Sequence, residues 1–214
     1  MKTLKIPKET IIRISKYSRY LTEVDLTKIS STDIASGVSV SSAQVRKDLA
    51  YFGNFGSRGI GYDVKDLRRH LIKILGLGDI WNVSLVGLGN LGLALSKYQG
   101  FLERGFIITS MFDIDPSKIG MVVNEIEVFP TPQMEEVIRK KNTQIGVICV
   151  PVSVAQEIAD VMVRAGVKAI LNFAPVSLKV LSEVLLRNVD LVVNLELLAF
   201  NLRESELIDS FMCR

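Results

Sequence analysis

Three glycines at fixed spacing are the first residues in this chain equipped to hold a ligand. The run Val83-Ser84-Leu85-Val86 is apolar enough for a buried strand, and Gly87-Leu88-Gly89-Asn90-Leu91-Gly92 follows it into a helix-forming stretch. Gly87 permits a tight turn. Gly89 lets backbone N–H groups approach a pyrophosphate, and Gly92 lets the helix pack closely on the strand. A phosphate at such a turn meets unpaired N–H groups and the positive end of the helix dipole. A second strand, residues 106–112, leads to Asp113, 21 residues after Gly92. A carboxylate there accepts hydrogen bonds from the adenosine ribose and repels a 2′-phosphate, favouring NAD(H) over NADP(H). The plainer role for Asp113 is to open the turn Asp113-Ile114-Asp115-Pro116.

Residues able to do chemistry on a bound nucleotide are missing. Hydride transfer needs a positioned acid or base, often His, Lys or Tyr. The single histidine, His70, lies in a basic helical stretch far from the glycine turn, and no Tyr-x-x-x-Lys pair follows that turn. Cys149 sits in the apolar run 145–150 and Cys213 is next to last, without the spacing of a metal site or redox pair. No catalytic residue and no metal site is expected. Three readings remain: a nucleotide-gated binding protein, an NAD-dependent oxidoreductase with a basic N-terminal appendage, and a CoA-binding module. The acid at Asp113 argues weakly against the last.

The elements that must position these residues fall into two parts. The chain has 214 residues, 48% of them hydrophobic, which suits one large or two small soluble domains. No apolar run reaches the roughly 18 residues that span a membrane, and residues 1–9 show no signal-peptide core. A cytoplasmic protein is the expectation. Residues 1–78 carry 14 Lys and Arg against 7 Asp and Glu, whereas residues 79–214 carry 12 against 16. The basic first third points to a nucleic-acid partner.

That basic part reads as helices. Residues 7–23 carry apolar positions at three- and four-residue steps. Ser30 or Ser31 can cap a helix over 32–36, ended by Gly37. Ser41 can cap another through Phe52, with Ala43, Val45, Leu49 and Phe52 inward and Gln44, Arg46, Lys47 and Tyr51 outward. Two short helices joined by a tight turn form a helix-turn-helix, whose second helix enters a major groove. There Gln pairs with adenine, and Arg or Lys with guanine. A merely solvated charged face is the bland alternative. The glycine-rich segment 53–62 then suggests a two-stranded wing, with Arg58 and Gly59 at its tip and Arg58 able to reach a minor groove. Asp63 can cap a helix to Leu75. Gly76-Leu77-Gly78 breaks it, and the domain boundary is placed there.

The second part, residues 79–194, alternates strand and helix, as a parallel Rossmann sheet does. Strands are expected at 83–86, 106–112, 127–129, 144–150 and 168–173. Helices are expected from Asn90 to Leu102, from Thr131-Pro132, and from a Ser153/Gln156 capping box to Arg164. Ligand contacts come from the C-terminal ends of strands, so Val150-Pro151 and Asn172-Phe173-Ala174-Pro175 are candidate pocket walls. Residues 184–193 are apolar but ambiguous in period. The last stretch, Leu195 to Met212, is a helix with more apolar surface than an edge helix needs. It packs on its own sheet or docks into a partner subunit.

Several of these motifs together resemble a known family. The run QVRKDLAYFGNFGSRGIGY (44–62), the turn GLGNLG (87–92), Tyr98-Gln99-Gly100-Phe101, Phe112-Asp113-Ile114-Asp115-Pro116 and Asn172-Phe173-Ala174-Pro175 resemble the Rex family of redox-sensing transcriptional repressors. The likeness covers essentially the whole chain, and its first run is the most specific. It implies an α/β homodimer with N-terminal winged helix-turn-helix domains, Rossmann domains that bind NADH or NAD+, and a C-terminal helix (195–214) swapped between subunits. NADH would close the dimer and release a palindromic double-stranded operator, while NAD+ is compatible with DNA binding. Gln44, Arg46, Lys47 and Arg58 occupy DNA-contacting positions, with Ser41, Ser42, Tyr51 and Gly59 beside them. Whether Arg46 and Lys47 meet phosphate or base is open. Ile114 and Lys118 join Asp113 on the nucleotide side. Tyr98 and Asp190 resemble a pair near the nicotinamide, with Arg19 as the alternative partner of Asp190, a switch in which a carboxylate changes partner between two domain arrangements. Leu191 departs from the family, standing where some members carry phenylalanine.

Overall fold

The computed structural model describes the backbone of residues 6–57 and 60–212, and their side chains apart from those of residues 57 and 205–212. The chain folds as two compact units, residues 1–79 and 80–214.

In the first unit, helix α1 (Lys8–Glu23) buries Ile14, Tyr17 and Leu21 at the three- and four-residue steps of one face. Strand β1 (Lys28–Ile29) and helix α2 (Ser31–Val38) follow. The Ser30 side chain accepts from the N–H groups of Thr32 and Asp33 while the Asp33 carboxylate accepts from the Ser30 N–H, a complete capping box. This helix does not stop at Gly37. It runs on to Val38 and ends at Ser39, in the left-handed conformation at φ 56°. Gly37 is needed for packing: a Cβ there would run into the Tyr20 ring.

Helix α3 (Ser42–Ala50) starts under Ser41, whose hydroxyl accepts from the Gln44 N–H. Its inward face is Val45, Asp48 and Leu49, not Ala43, which is exposed. Val45 and Leu49 face inward as expected, with Phe52 packed against the same core, and the carboxylate of Asp48 joins them there. Strands β2 (Gly56–Ser57) and β3 (Gly61–Asp63) form the antiparallel wing, and β1 adds an unanticipated third strand against β3. Arg58 and Gly59 lie outside the described residues. Helix α4 (Val64–Ile74), capped by Asp63, closes the unit with Leu67 and Leu71 buried against Ile14, Tyr17 and Ile34.

The second unit opens with β4 (Trp81–Val86), α5 (Asn90–Ser96), α6 (Gln99–Leu102) and β5 (Phe106–Asp113). The expected helix from Asn90 to Leu102 is thus two helices. The chain breaks where Ser96 turns its hydroxyl onto the Leu93 carbonyl and yields its own carbonyl to the Asn124 amide. Next come β6 (Val122–Val123), β7 (Ile126–Pro130), a 3₁₀ turn at Thr131–Gln133, α7 (Met134–Lys140), β8 (Ile145–Ile148) and α8 (Val152–Arg164). The strand expected at 127–129 lies within β7, while its hairpin partner β6 is unanticipated, because the turn between them uses positive φ at Asn124 and Glu125 without a glycine. No Ser153/Gln156 capping box forms. Pro151 is the N-cap, and Gln156 instead holds both the N–H and the carbonyl of Lys179.

The remaining elements are β9 (Ala169–Asn172), β10 (Leu185–Asn188) and α9 (Leu191–Met212). Sheet order is β10-β9-β8-β4-β5-β7-β6, parallel except for the β6 edge. Alternate residues feed two cores. Val86, Phe112 and Ile148 meet α7 and α8 on one face, and Leu85, Met111 and Val147 meet Leu93 and Leu95 on the other. The ambiguous stretch becomes β10 and the start of α9, whose first turn is capped by Asp190. Every side chain from Leu191 to Glu204 is exposed, so this described part of α9 does not pack on its own sheet.

Ser30→Ala removes the hydroxyl half of the capping box, leaving the Asp33 carboxylate its bond to the backbone N–H, and should cost about 1 kcal/mol. Chemical denaturation checks this, with the loss confined to the transition of the first unit.

Candidate nucleotide cleft and DNA-binding face

The glycine turn is held by backbone contacts that leave no room for side chains. Gly87 sits at φ 91°, and a Cβ on it would stand 2.5 Å from the Cys149 carbonyl oxygen. A Cβ on Gly92 would collide with the carbonyl of Gly87. Gly89 instead opens onto free space. The turn is anchored to the neighbouring strand: the Gly87 N–H donates to the Phe112 carbonyl at 2.9 Å and the Leu88 N–H to Asp113 Oδ2 at 2.7 Å.

Asp113 is 6% exposed. It also accepts from the Asp115 N–H at 2.9 Å, with Lys118 Nζ at 3.4 Å. Burial pushes its carboxyl upward, but the N–H groups of Asp115 and Leu88 and the Lys118 ammonium outweigh this and hold it below the usual carboxylate range. It is therefore ionised at neutral pH. Its oxygens retain lone pairs for a ribose, since an ionised carboxylate has about four acceptor sites.

A cleft of about 970 Å³ opens over this turn, large enough for a dinucleotide-sized ligand. Gly87, Gly89, Leu91, Asp113, Ile114 and Lys118 line one side, and Val150, Pro151, Phe173, Ala174 and Pro175 the other. The remaining expected residues do not line it. The Leu88 side chain is buried in the core, and Gly92 packs against Gly87. Asn90 begins α5. Asn172 is fully buried and holds the following turn through bonds to Ala174, Val176 and Asn188. Tyr98 lines a separate hollow of about 190 Å³ and packs edge-on against Phe101. Asp190 lines another beside Pro175. Arg19 is exposed on α1 in the first unit.

Sequence reasoning missed part of the wall: Thr131 and Pro132 after β7, and Glu157, Val161 and Arg164 along α8. Thr131 and Pro132 follow a strand C-terminus, the same rule that found Val150 and Pro151. The Cys149 thiol lies at this wall, and burial pushes it up to about 12.

On α3, Arg46 and Lys47 are exposed; Arg46 donates to the Ser31 hydroxyl at 2.9 Å. Ser41 spends its hydroxyl on the helix cap, and Tyr51 is half-buried at the helix end. Behind this face lies Asp48, with no exposed surface. It accepts from Thr10, from Arg13 twice (2.6 and 2.8 Å), from Tyr17 at 2.8 Å and from Gln44 at 2.8 Å. Burial raises its carboxyl, but the bonds from Arg13, Tyr17 and Gln44 prevail and hold it low. The Gln44 to Asp48 spacing of four residues was the available signal for this pair.

The two halves match two family models, one described as a putative DNA-binding protein N-terminus over residues 5–50 and one as a CoA binding domain over residues 79–176. The redox-sensing transcriptional repressor Rex of Desulfitobacterium hafniense is 67% identical over 204 residues, covering 94% of this chain and 97% of that one. The chain belongs to the Rex family. The Rex of Carboxydothermus hydrogenoformans is 57% identical over 206 residues, covering 95% and 99%. Among solved structures, the Rex-family repressor RSP in complex with β-NAD+ and operator DNA is 39% identical, with a TM-score of 0.90 and 98% of each chain covered. RSP in complex with β-NADH gives 0.88 at 38% identity, covering 98% of this chain and all of that one.

Asp113→Ala should weaken NAD(H) about tenfold, from loss of a charged hydrogen-bond acceptor, and narrow the gap to NADP(H). Titration calorimetry with all four nucleotides measures both. In a Cys213→Ser background, Cys149 should react with a thiol reagent at neutral pH far more slowly than a free thiol. Stopped-flow absorbance follows that reaction, and denaturation should abolish the protection.

Proposed function

We propose that this Rex-family chain is a DNA-binding repressor that senses the NADH/NAD+ ratio and is not an enzyme. The observation that carries this reading is its near-complete overlap in fold with RSP, seen with β-NADH in one structure and with β-NAD+ and operator DNA in another. The residues present suit such a ligand. Gly89 leaves space for a pyrophosphate, and Asp113 is an ionised acceptor at the ribose end. The cleft-lining residues include no histidine, and its thiol is held protonated. Lys118, which lines the cleft, is engaged by Asp113 and Asp115, which weighs against the oxidoreductase reading. The bound dinucleotide would supply a ring whose charge and shape depend on oxidation state.

In this proposal residues 1–78 are the winged-helix reader and residues 79–194 the Rossmann sensor. Residues 195–214 belong to a dimerisation helix that, in the structure, already begins at Leu191. Ser41, Ser42, Gln44, Arg46, Lys47, Tyr51, Arg58 and Gly59 form the DNA-facing set. NADH binding changes the arrangement of a homodimer and releases operator DNA, with Asp190 exchanging Arg19 for Tyr98 as partner. No helix among the described residues is long and apolar enough to cross a membrane, and we place the protein in the cytoplasm with its DNA.

A mobility shift titrated with NADH at fixed NAD+ tests the reading. NADH should release the duplex and NADPH should not; retention at saturating NADH would overturn it. Arg46→Ala and Lys47→Ala should each abolish specific retardation while leaving NADH affinity unchanged by calorimetry.

A further inference from the structure

The Asp48 cluster bears on how α3 reads bases. Asp48 is fully buried and surrounded by donors from two helices: Thr10, Arg13 and Tyr17 of α1, and Gln44 one turn earlier on α3. Beside the Arg13 guanidinium it is ionised and can only accept. The end of Gln44 facing it must therefore be the amide nitrogen, since a flipped amide would set oxygen against oxygen. Nε2 lies 2.8 Å from Asp48 Oδ1. The Gln44 oxygen takes no hydrogen bond among the described residues, and the side chain is half-exposed on the helix face that carries Arg46 and Lys47.

A free glutamine is ambivalent, because its amide can turn to offer a donor or an acceptor to a base edge. Here the turn is blocked. We propose that Asp48 is a positioning residue that locks Gln44 with its oxygen outward, so that α3 selects at one position per half-site a base with an exocyclic amine in the major groove, adenine or cytosine. The inference rests on α3 being the DNA-reading helix. Adenine presents its N6 amine and cytosine its N4 amine there, whereas guanine and thymine present acceptors at the equivalent places. Thr10, Arg13 and Tyr17 hold the lock and need not touch DNA.

The test uses the full-length chain and a duplex that it selects from a randomised pool. Selection of no duplex at all would defeat the DNA-binding reading itself and not this refinement. On the selected duplex, each adenine is replaced in turn by purine and each cytosine by 2-pyrimidinone, which delete only the exocyclic amine. One position per half-site should lose about tenfold in affinity. Gln44→Met should lose a similar factor on the parent duplex and nothing further from that replacement. Asp48→Asn, checked for folding by circular dichroism, should admit guanine or thymine at the same position while retaining the other base preferences. If Gln44→Met and the amine deletions prove additive at every position, the lock does not read DNA. A folded Asp48→Asn with unchanged preferences would equally overturn it. The comparison of wild type with Gln44→Met stands even where Asp48→Asn does not fold.

Discussion

A buried carboxylate must be surrounded by donors, and each functional element here hangs on one. Moving an unpaired charge out of water is prohibitive, so Asp48 and Asp113 persist only because N–H, O–H and cationic groups converge on them. The convergence organises what surrounds it. Asp113 ties the glycine turn to the end of β5 and so sets the floor of the cleft. Asp48 ties α3 to α1 and fixes the Gln44 side chain. Both folded-state values lie below the ordinary carboxylate range. Their stabilisation is complete above the unfolded value near 4 and is lost as pH falls through the lower folded value. The two anchors therefore weaken together in acid, leaving the glycine turn and α3 slack at once.

The parallel sheet supplies what these anchors need. Its strands end on one edge, so Gly87, Asp113, Val150 and Phe173 converge without being near in sequence. Alternate side chains serve the two cores, while the turns beyond the strand ends line the cleft. The tightest approaches within the glycine turn are backbone on backbone, at Gly87 and Gly92, where even one methyl group would force the turn open.

Much of this could be read in advance, for identifiable reasons. Periodic apolar faces marked α1 and α4, and glycine spacing marked the turn at 87–92, because both signals are local. Gly37 was taken as a helix stop because the ring it accommodates, Tyr20, is distant in sequence. Asp48 was overlooked for a similar reason: a charged residue in the inward phase of a helix makes sense only once Arg13 and Tyr17 are known to face it. Ser153 and Gln156 had the spacing of a cap, yet Gln156 found a better partner in the Lys179 backbone. Tyr98 and Asp190 line separate hollows of the second unit, which no local pattern in the sequence marks. Tertiary competition decided what local patterns could not.

Helix α9 has a consequence for how much of this protein a cell must keep. Leu195, Leu198 and Phe200 are more than half exposed along the described part of this helix. Covering that surface with a second copy makes folding and association one equilibrium, so stability rises with protomer concentration. A repressor built this way has a floor on its useful abundance. Below such a floor, bare α9 surfaces would invite aggregation and degradation. Dosage would then act as a second input, set by synthesis and turnover and separate from the nucleotide ratio.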